Sequence, residues 1–378
     1  MRRTATYLDY NATAPVRREA AEAVGDVLAM CGNPSSVHGA GRAAHAKLET
    51  AREQVASFVG RSPSDVIFTS GGTEANGLAL NGTGRRGVFV SAVEHPSVLK
   101  ANEDAEQIPV NEDGVVDLEW LERALKACPK EGLVSVMAAN NETGVCQPIE
   151  EVSEICRRHG AVFHCDAVQI PGKAPLDSVI DHAHMVSLSA HKIGGPQGVG
   201  ALIVREEDVS LTPLLRGGGQ ERSKRAGTEN LPGIVGFGVA ANLVDGDLSD
   251  AARIGRLRDD LEARIAEVAS TVVFAGKDAE RLCNTSCFAV PGLDAETLVM
   301  AFDLEGIMLS AGSACSSGKV KASHVLMAQG WRRDLAGSAV RISLGRLTTE
   351  ADIDAFVAAW TAIFSRSGQV EKIEGAAA

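Results

Sequence analysis

The sequence predicts an α/β fold, with a mainly parallel central sheet in a large domain and a smaller α+β domain beside it. Three observations predict this. Short apolar runs alternate with stretches of helical periodicity, the pattern of strand–helix units. Glycine is abundant at 39 residues while aromatics make up only 4%, so turns are plentiful. Late in the chain one long helical face follows a turn-rich segment and separates the two parts.

Taken in order, Val66–Thr69 reads as a strand, followed by Ser70-Gly71-Gly72 and a helix from Thr73. Residues 88–90, 133–137, 161–165 and 185–189 are further strands, each between polar or helical stretches. Residues 201–204 follow the turn Gly194-Gly195-Pro196-Gln197-Gly198 and suit a hairpin partner. Asp245-Gly246-Asp247 reads as a turn and a boundary. Ile254, Leu257, Leu261, Ile265 and Val268 then step by three or four residues, one face of a helix. Strands at 286–290 and 340–344 flank a Gly/Ser-rich loop near 310–318. These readings put a large domain at residues 12–245. Residues 1–11 and 246–378 form the small domain, with its loop at about 309–321.

Composition narrows the function classes. Of 378 residues, 45% are hydrophobic and 23% charged, an ordinary globular profile. The formal net charge is −12, which argues against direct DNA binding, because phosphates need clustered Lys and Arg. No apolar run is long enough for a transmembrane helix. The opening residues Met1-Arg2-Arg3 lead into no apolar signal-peptide segment, so a cytoplasmic location is expected. Eight cysteines are scattered along the chain at 31, 128, 146, 156, 165, 283, 287 and 315. In a reducing compartment most should be buried thiols.

Several motifs bear on chemistry. Gly82, Gly84 and Gly87 spell a dinucleotide fingerprint, but a helix precedes and a strand follows, the reverse of what that site needs. Ser70-Gly71-Gly72-Thr73 lies where a strand passes into a helix. It suits an anion site built from free backbone N–H groups, and equally a plain N-cap at Thr73. His164, Cys165 and Asp166, with His182 and His184 nearby, offer metal-ligand types. Strand alternation turns Cys165 away from His164 and Asp166, and no metal is expected for catalysis.

The sharper feature is Ser187-Leu188-Ser189-Ala190-His191-Lys192, a strand that delivers one lysine ahead of glycines. Such a lysine can have a lowered pKa and form a Schiff base. Asp166 ends a neighbouring strand. Pyridoxal phosphate needs a Schiff-base lysine, an acid for its ring nitrogen and a phosphate cradle. All three stand at carboxyl ends of strands, where open α/β sheets bind ligands. Cys315 sits in the small, polar, Gly-flanked stretch 312–318, a setting that suits a reactive thiol, with a buried structural cysteine as the alternative.

At these residues the chain resembles the group I cysteine desulfurases of the NifS/IscS type. These are fold type I pyridoxal-phosphate enzymes of the class V aminotransferase family. The resemblance runs from Tyr7-Leu8-Asp9-Tyr10-Asn11-Ala12-Thr13 to Arg341-Ile342-Ser343-Leu344-Gly345-Arg346. It includes Glu94-His95, Asn140-Asn141-Glu142-Thr143-Gly144, Asp166-Ala167-Val168-Gln169 and Arg225-Ala226-Gly227-Thr228-Glu229-Asn230. Ser310-Ala311-Gly312-Ser313-Ala314-Cys315 matches the extended cysteine loop of group I.

The resemblance implies that Lys192 binds the cofactor covalently and Asp166 pairs with its ring nitrogen. Gln169 would bond the phenolic oxygen, and His95 would stack on the ring and carry protons. Gly72, Thr73, Ser189 and His191 would hold the phosphate, with Thr228 supplied by the second subunit of a homodimer. Asn141, which would also touch the cofactor, and Arg341 would take the substrate carboxylate. Lys192 would remove the Cα proton of L-cysteine, and the Cys315 thiolate would attack its sulfur, giving alanine and a persulfide. His95 is the candidate acceptor for the Cys315 proton. The sulfur would pass to an iron–sulfur scaffold or another acceptor protein, and Cys315 itself as a transient cluster ligand stays open. Selenocysteine lyase or another class V enzyme is the alternative, and a cofactor-free scaffold is the reading from a different class.

Overall fold

Uninterrupted apolar strands such as Val66-Ile67-Phe68 need a sheet covered on both faces. The computed structural model describes residues 5–128, 131–205, 209–312 and 322–367 and contains that sheet. The chain starts with β1 (Thr6–Tyr7), α1 (Arg18–Leu28) and α2 (Gly39–Phe58). Next come β2 (Val66–Thr69), α3 (Gly72–Gly82), β3 (Gly87–Ser91), α4 (Pro96–Leu99) and β4 (Glu106–Ile108). Then α5 (Leu118–Ala127), β5 (Gly132–Ser135), α6 (Ile149–His159), β6 (Val162–Asp166), α7 (Asp177–His182), β7 (Met185–Ser189) and β8 (Gly200–Val204) complete the sheet.

Helices α8 (Leu231–Leu243), α9 (Asp245–Ser249) and α10 (Ala251–Val268) lead into the last stretch. It holds β9 (Val273–Phe274), β10 (Thr285–Ala289), α11 (Ala295–Leu304), β11 (Ile307–Met308) and β12 (Ser310–Ala311). It ends with α12 (His324–Ala328), α13 (Arg333–Ala336), β13 (Val340–Ser343) and α14 (Glu350–Arg366).

The seven-stranded sheet has the order β2-β8-β7-β6-β5-β3-β4. Only β8 runs against its neighbours, pairing antiparallel with both β7 and β2, so the expected hairpin partner is present. Alternation sorts the side chains. Phe163, Cys165, Val186 and Leu188 join the core under α1, α2, α6 and α8. Val162, Met185, Leu202 and the α3 residues Ala75, Leu78 and Ala79 form the core of the other face. By the same two-residue period, His164, Asp166, Ser187 and Ser189 lie on the α3 face. His164 there is a satisfied core histidine, bonded to Ser135 Oγ at 2.8 Å and Ser187 Oγ at 2.9 Å.

The later residues build a second antiparallel sheet, β12-β13-β10-β9. Its core holds the predicted α10 face of Ile254, Leu257, Leu261 and Ile265 around a buried Trp360. β1 pairs in parallel with β11, so the first strand lies with these late elements. Strand bounds differ from the sequence reading by a residue or two. Asp245-Gly246-Asp247 opens the short helix α9 and is not a free turn. Acidic residues in a first turn suit the helix dipole, and Arg17 fixes Asp247 from α1's N-terminal flank.

One buried ion pair holds a strained segment to the sheet. Glu221, Arg222 and Ser223 have φ of 45°, 53° and 64°, a region unfavourable for residues with a Cβ. Arg52 meets Glu221 through two bonds of 2.8 Å, and Glu221 also accepts the Phe68 N–H. Removing Glu221 leaves the buried Arg52 guanidinium with only the partly exposed Glu49, on its own helix, as a counter-charge among the described residues. Glu221→Ala should therefore lower unfolding stability by about 3–5 kcal/mol in urea titration. A loss below about 1 kcal/mol would show that the pair does not hold this segment.

Candidate active site

A cavity of about 690 Å³ opens where β6 and β7 end and α3 begins. Its position follows from the fold. Parallel strands send their carboxyl ends to one edge, and the helices that follow turn their N-termini toward it. Asp166 closes β6 and Ser189 closes β7, both on the α3 face. Lys192 follows two residues after a tight turn at Ala190 and lines the same cavity.

Lys192 is buried, and its Nζ donates to the carbonyls of Asn11 and Ala12. Burial, helped by the Arg341 charge, lowers its pKa to about 8, against the opposing pull of Asp166 and Asp9. Asp166 is 3% exposed. Its Oδ2 accepts from Asn76 Nδ2 at 2.7 Å and its Oδ1 from the Val168 N–H at 3.1 Å. A line of hydrogen bonds continues outward. Asn76 Nδ2 also donates to Ser97 Oγ at 2.9 Å, and Ser97 Oγ lies 2.8 Å from His95 Nδ1. His95 borders the cavity, and burial lowers its pKa below the ordinary value.

The N-terminus of α3 forms one wall. Thr73 is not its cap. That position falls to Gly71, with φ of 154° and no side-chain cap. Nothing lies within 4 Å of where a Gly71 Cβ would be, so conformation, not crowding, requires glycine. At Gly200 crowding does require it, since a Cβ would meet Gly71 carbon atoms at 2.7–2.8 Å. The uncapped N–H groups of Gly72 and Thr73 are left beside Ser189 and His191. His191 is held neutral by burial and by Lys192, which lower its pKa to about 4.

The opposite wall comes from the late sheet. Arg341 on β13 donates to Asn141 O at 2.9 Å and to Asp9 Oδ1 at 2.7 Å. Its Nε is buried and has no partner. Asn141 lines the cavity beside it. Gln169 donates to Asn11 O at 3.0 Å and accepts from Lys173 Nζ at 2.7 Å. Burial and the Lys192 charge bring Lys173 down to about 7.

Of the residues expected from sequence, Gly72, Thr73, His95, Asn141, Asp166, Gln169, Ser189, His191, Lys192 and Arg341 share this one cavity. Thr228 does not line it and is exposed. Cys315 lies outside the described residues. The chain on either side of residues 313–321 is anchored at the cavity. Gly312 lines it, Ser323 Oγ donates to Glu142, and His324 Nε2 donates to Glu94 O at 2.9 Å.

Sequence reasoning missed Asn76, Ser97, Asp9 and Lys173. Asn76 had a usable signal, since it stands one helical turn after Thr73, on the same face. Asp9 lay inside a matched motif, but its partner Arg341 is 332 residues away. Nothing local announces such a pair.

The donor set fits pyridoxal phosphate. An uncapped helix N-terminus with Thr73, Ser189 and neutral His191 suits a phosphate. Asp166 suits a protonated ring nitrogen, and Lys192 is a buried amine with a lowered pKa. Arg341 lines the cavity, and its planar guanidinium suits a carboxylate. A lysine, an acid and a helix N-terminus meeting at this sheet edge define the site of a pyridoxal-phosphate enzyme.

Comparison with known proteins agrees. The family model described as Aminotransferase class-V matches residues 6–356, and the chain belongs to that family. It is 44% identical over 363 residues to a cysteine desulfurase of Cereibacter sphaeroides, covering 92% of each chain. It is 40% identical to an IscS-like cysteine desulfurase of Mycobacterium tuberculosis, covering 92% of this chain and 93% of that one. The NifS-like protein from Rickettsia africae superposes with a TM-score of 0.89 at 37% identity, covering 96% of this chain and 99% of that one.

The lowered lysines give a direct test. An ammonium does not acylate, so labelling of each amine rises as pH passes its pKa. In the cofactor-free chain, acylation read by peptide mass spectrometry should rise near pH 8 at Lys192 and near pH 7 at Lys173. Surface lysines should follow near 10.4, roughly their free value. A Lys192 midpoint above roughly 10, the ordinary lysine range, would contradict the buried, charge-crowded site.

Proposed function

We infer that the chain is a pyridoxal-phosphate-dependent cysteine desulfurase. It converts L-cysteine to L-alanine and takes the sulfur onto its own cysteine. One observation carries this reading: Lys192, Asp166 and the uncapped start of α3 share a cavity walled by Arg341 with its Nε unpartnered. Relatives named cysteine desulfurase at 40–44% identity support the substrate.

When bound, pyridoxal phosphate supplies an electrophilic carbonyl for amines and an electron sink for the pair left at Cα. Asp166 holds the ring nitrogen protonated. The α3 N–H groups, Thr73, Ser189 and His191 hold the phosphate, and Gln169 serves the phenolic oxygen. Arg341 takes the substrate carboxylate, with Asn141 beside it. A guanidinium suits that planar group because it offers two parallel N–H donors. The lowered pKa of Lys192 gives it a neutral fraction at working pH, so its amine can accept the Cα proton. The Cys315 thiolate attacks the substrate sulfur, and the S–S bond forms as the C–S bond breaks. Cysteine and an enzyme thiol become alanine and an enzyme persulfide, so atoms balance with no further reactant.

The exposure of Thr228, away from this cavity, supports a homodimer in which it serves the second copy. The seven described cysteines are free thiols, in keeping with a reducing cytoplasm. The persulfide's acceptor is an iron–sulfur scaffold or another sulfur-accepting protein. No described helix is long and apolar enough to cross a membrane.

The test is product release from L-cysteine with a thiol reductant. The wild type should release alanine and sulfide in equal amounts, and Cys315→Ser should release neither. Sulfide from Cys315→Ser at the wild-type rate would remove Cys315 as the nucleophile and require an elimination instead.

A further inference from the structure

His95 is followed by Pro96 and Ser97, and this order fixes its protonation. His95 is the N-cap of the short helix α4, and its Nδ1 accepts the backbone N–H of Ser97 at 3.1 Å. A backbone N–H can only donate, so Nδ1 carries no proton. Ser97 Oγ, 2.8 Å from the same nitrogen, must then donate its own hydrogen. One of its two lone pairs accepts from Asn76 Nδ2 at 2.9 Å on the far side. Asn76 is fixed as well. Its other amide hydrogen goes to Asp166 Oδ2, and its own Oδ1 has no partner. Turning the amide over would set that oxygen against the carboxylate.

We propose that His95 works as a neutral imidazole with its hydrogen on Nε2, and that Ser97 and Asn76 are the positioning residues that hold this tautomer. The role assigned to His95 rests on the cofactor-site reading above. The consequence is chemical. A second proton could enter the ring only at Nδ1, where it would displace the Ser97 N–H and force the Ser97 hydroxyl hydrogen to turn away. His95 is then a hydrogen-bond donor into the cavity and not the base for the Cys315 thiol, in contrast to the expectation from the family resemblance.

The charges around the ring are Asp166 at the end of β6, Lys192 after β7 and His324 on α12. Glu94 precedes His95 in the chain, is fully buried, and is pushed well above the carboxylate range by burial and by Asp166. Burial, Lys192 and His324 disfavour the cation at His95, and Asp166 alone favours it.

The experiment is solid-state 15N NMR of histidine-labelled full-length protein, with and without bound cofactor, across pH 6–8. The His95→Gln variant identifies the His95 signals. The expected result is a protonated, pyrrole-type Nε2 and a bare Nδ1 throughout. Ser97→Ala should keep the tautomer, because the backbone N–H remains, but shift the His95 pKa upward through loss of the hydroxyl that donates to Nδ1, and Ser97→Thr should reverse that shift. A protonated Nδ1 or an imidazolium at neutral pH in the wild type would overturn the proposal. An unmoved His95 pKa in Ser97→Ala would remove Ser97 from it. These signals need no turnover, so a failure of desulfurase activity is read separately.

Discussion

The hydrogen bond from Asn76 to Asp166 joins α3 to the carboxyl end of β6, and the active site is arranged around it. Asp166 is almost wholly removed from water, where a carboxylate is costly unless its lone pairs are used. Asn76 and the Val168 N–H meet that need from opposite sides. Satisfying Asp166 in this way also fixes α3 against the sheet edge, which sets where its uncapped N–H groups face. The same amide passes a bond to Ser97 and so to His95. One buried charge thus orders the uncapped start of α3, the carboxylate at the end of β6 and the histidine beside it.

The other half of the cavity comes from the far end of the chain. β1 pairs with β11, Asp9 holds Arg341, and Asn11 links Gln169, Lys192 and Asn284 through its backbone and side chain. Residues 9–11 therefore tie the β6–β7 edge to β10 and β13. Two lysines and an arginine gather here: burial, helped by the Arg341 charge, lowers Lys192, and burial, helped by the Lys192 charge, lowers Lys173. The lowered pKa leaves Lys192 a neutral fraction near neutral pH, which covalent chemistry at nitrogen requires. An anionic cofactor and a substrate carboxylate would relieve the crowding of these cations.

Much of this was legible in the sequence. Apolar runs flanked by glycine gave the strands, because a doubly covered parallel sheet leaves an unbroken hydrophobic signature. The α10 face was readable from its spacing alone. Asp166 and Lys192 stood out because polar residues at strand ends break that signature. The Asp245 helix escaped because its turn-like composition is tolerated where Arg17 and the helix dipole stabilise it. Asn76, Ser97 and Asp9 escaped because their meaning lies in partners brought together only by folding. The tautomer of His95 depends on the Ser97 backbone, which no side-chain pattern reveals.

The most direct measurement of the central role of Asp166 is pyridoxal-phosphate affinity in Asp166→Asn beside the wild type, with alanine formation followed in the same samples. The substitution keeps the shape and removes the charge. A charge-assisted hydrogen bond contributes about 1.5–3 kcal/mol. The expected result is affinity weakened by about ten- to a hundredfold, with alanine formation lost. Unchanged affinity with wild-type alanine formation would show that the cofactor does not engage this carboxylate, and that the site is organised around some other group.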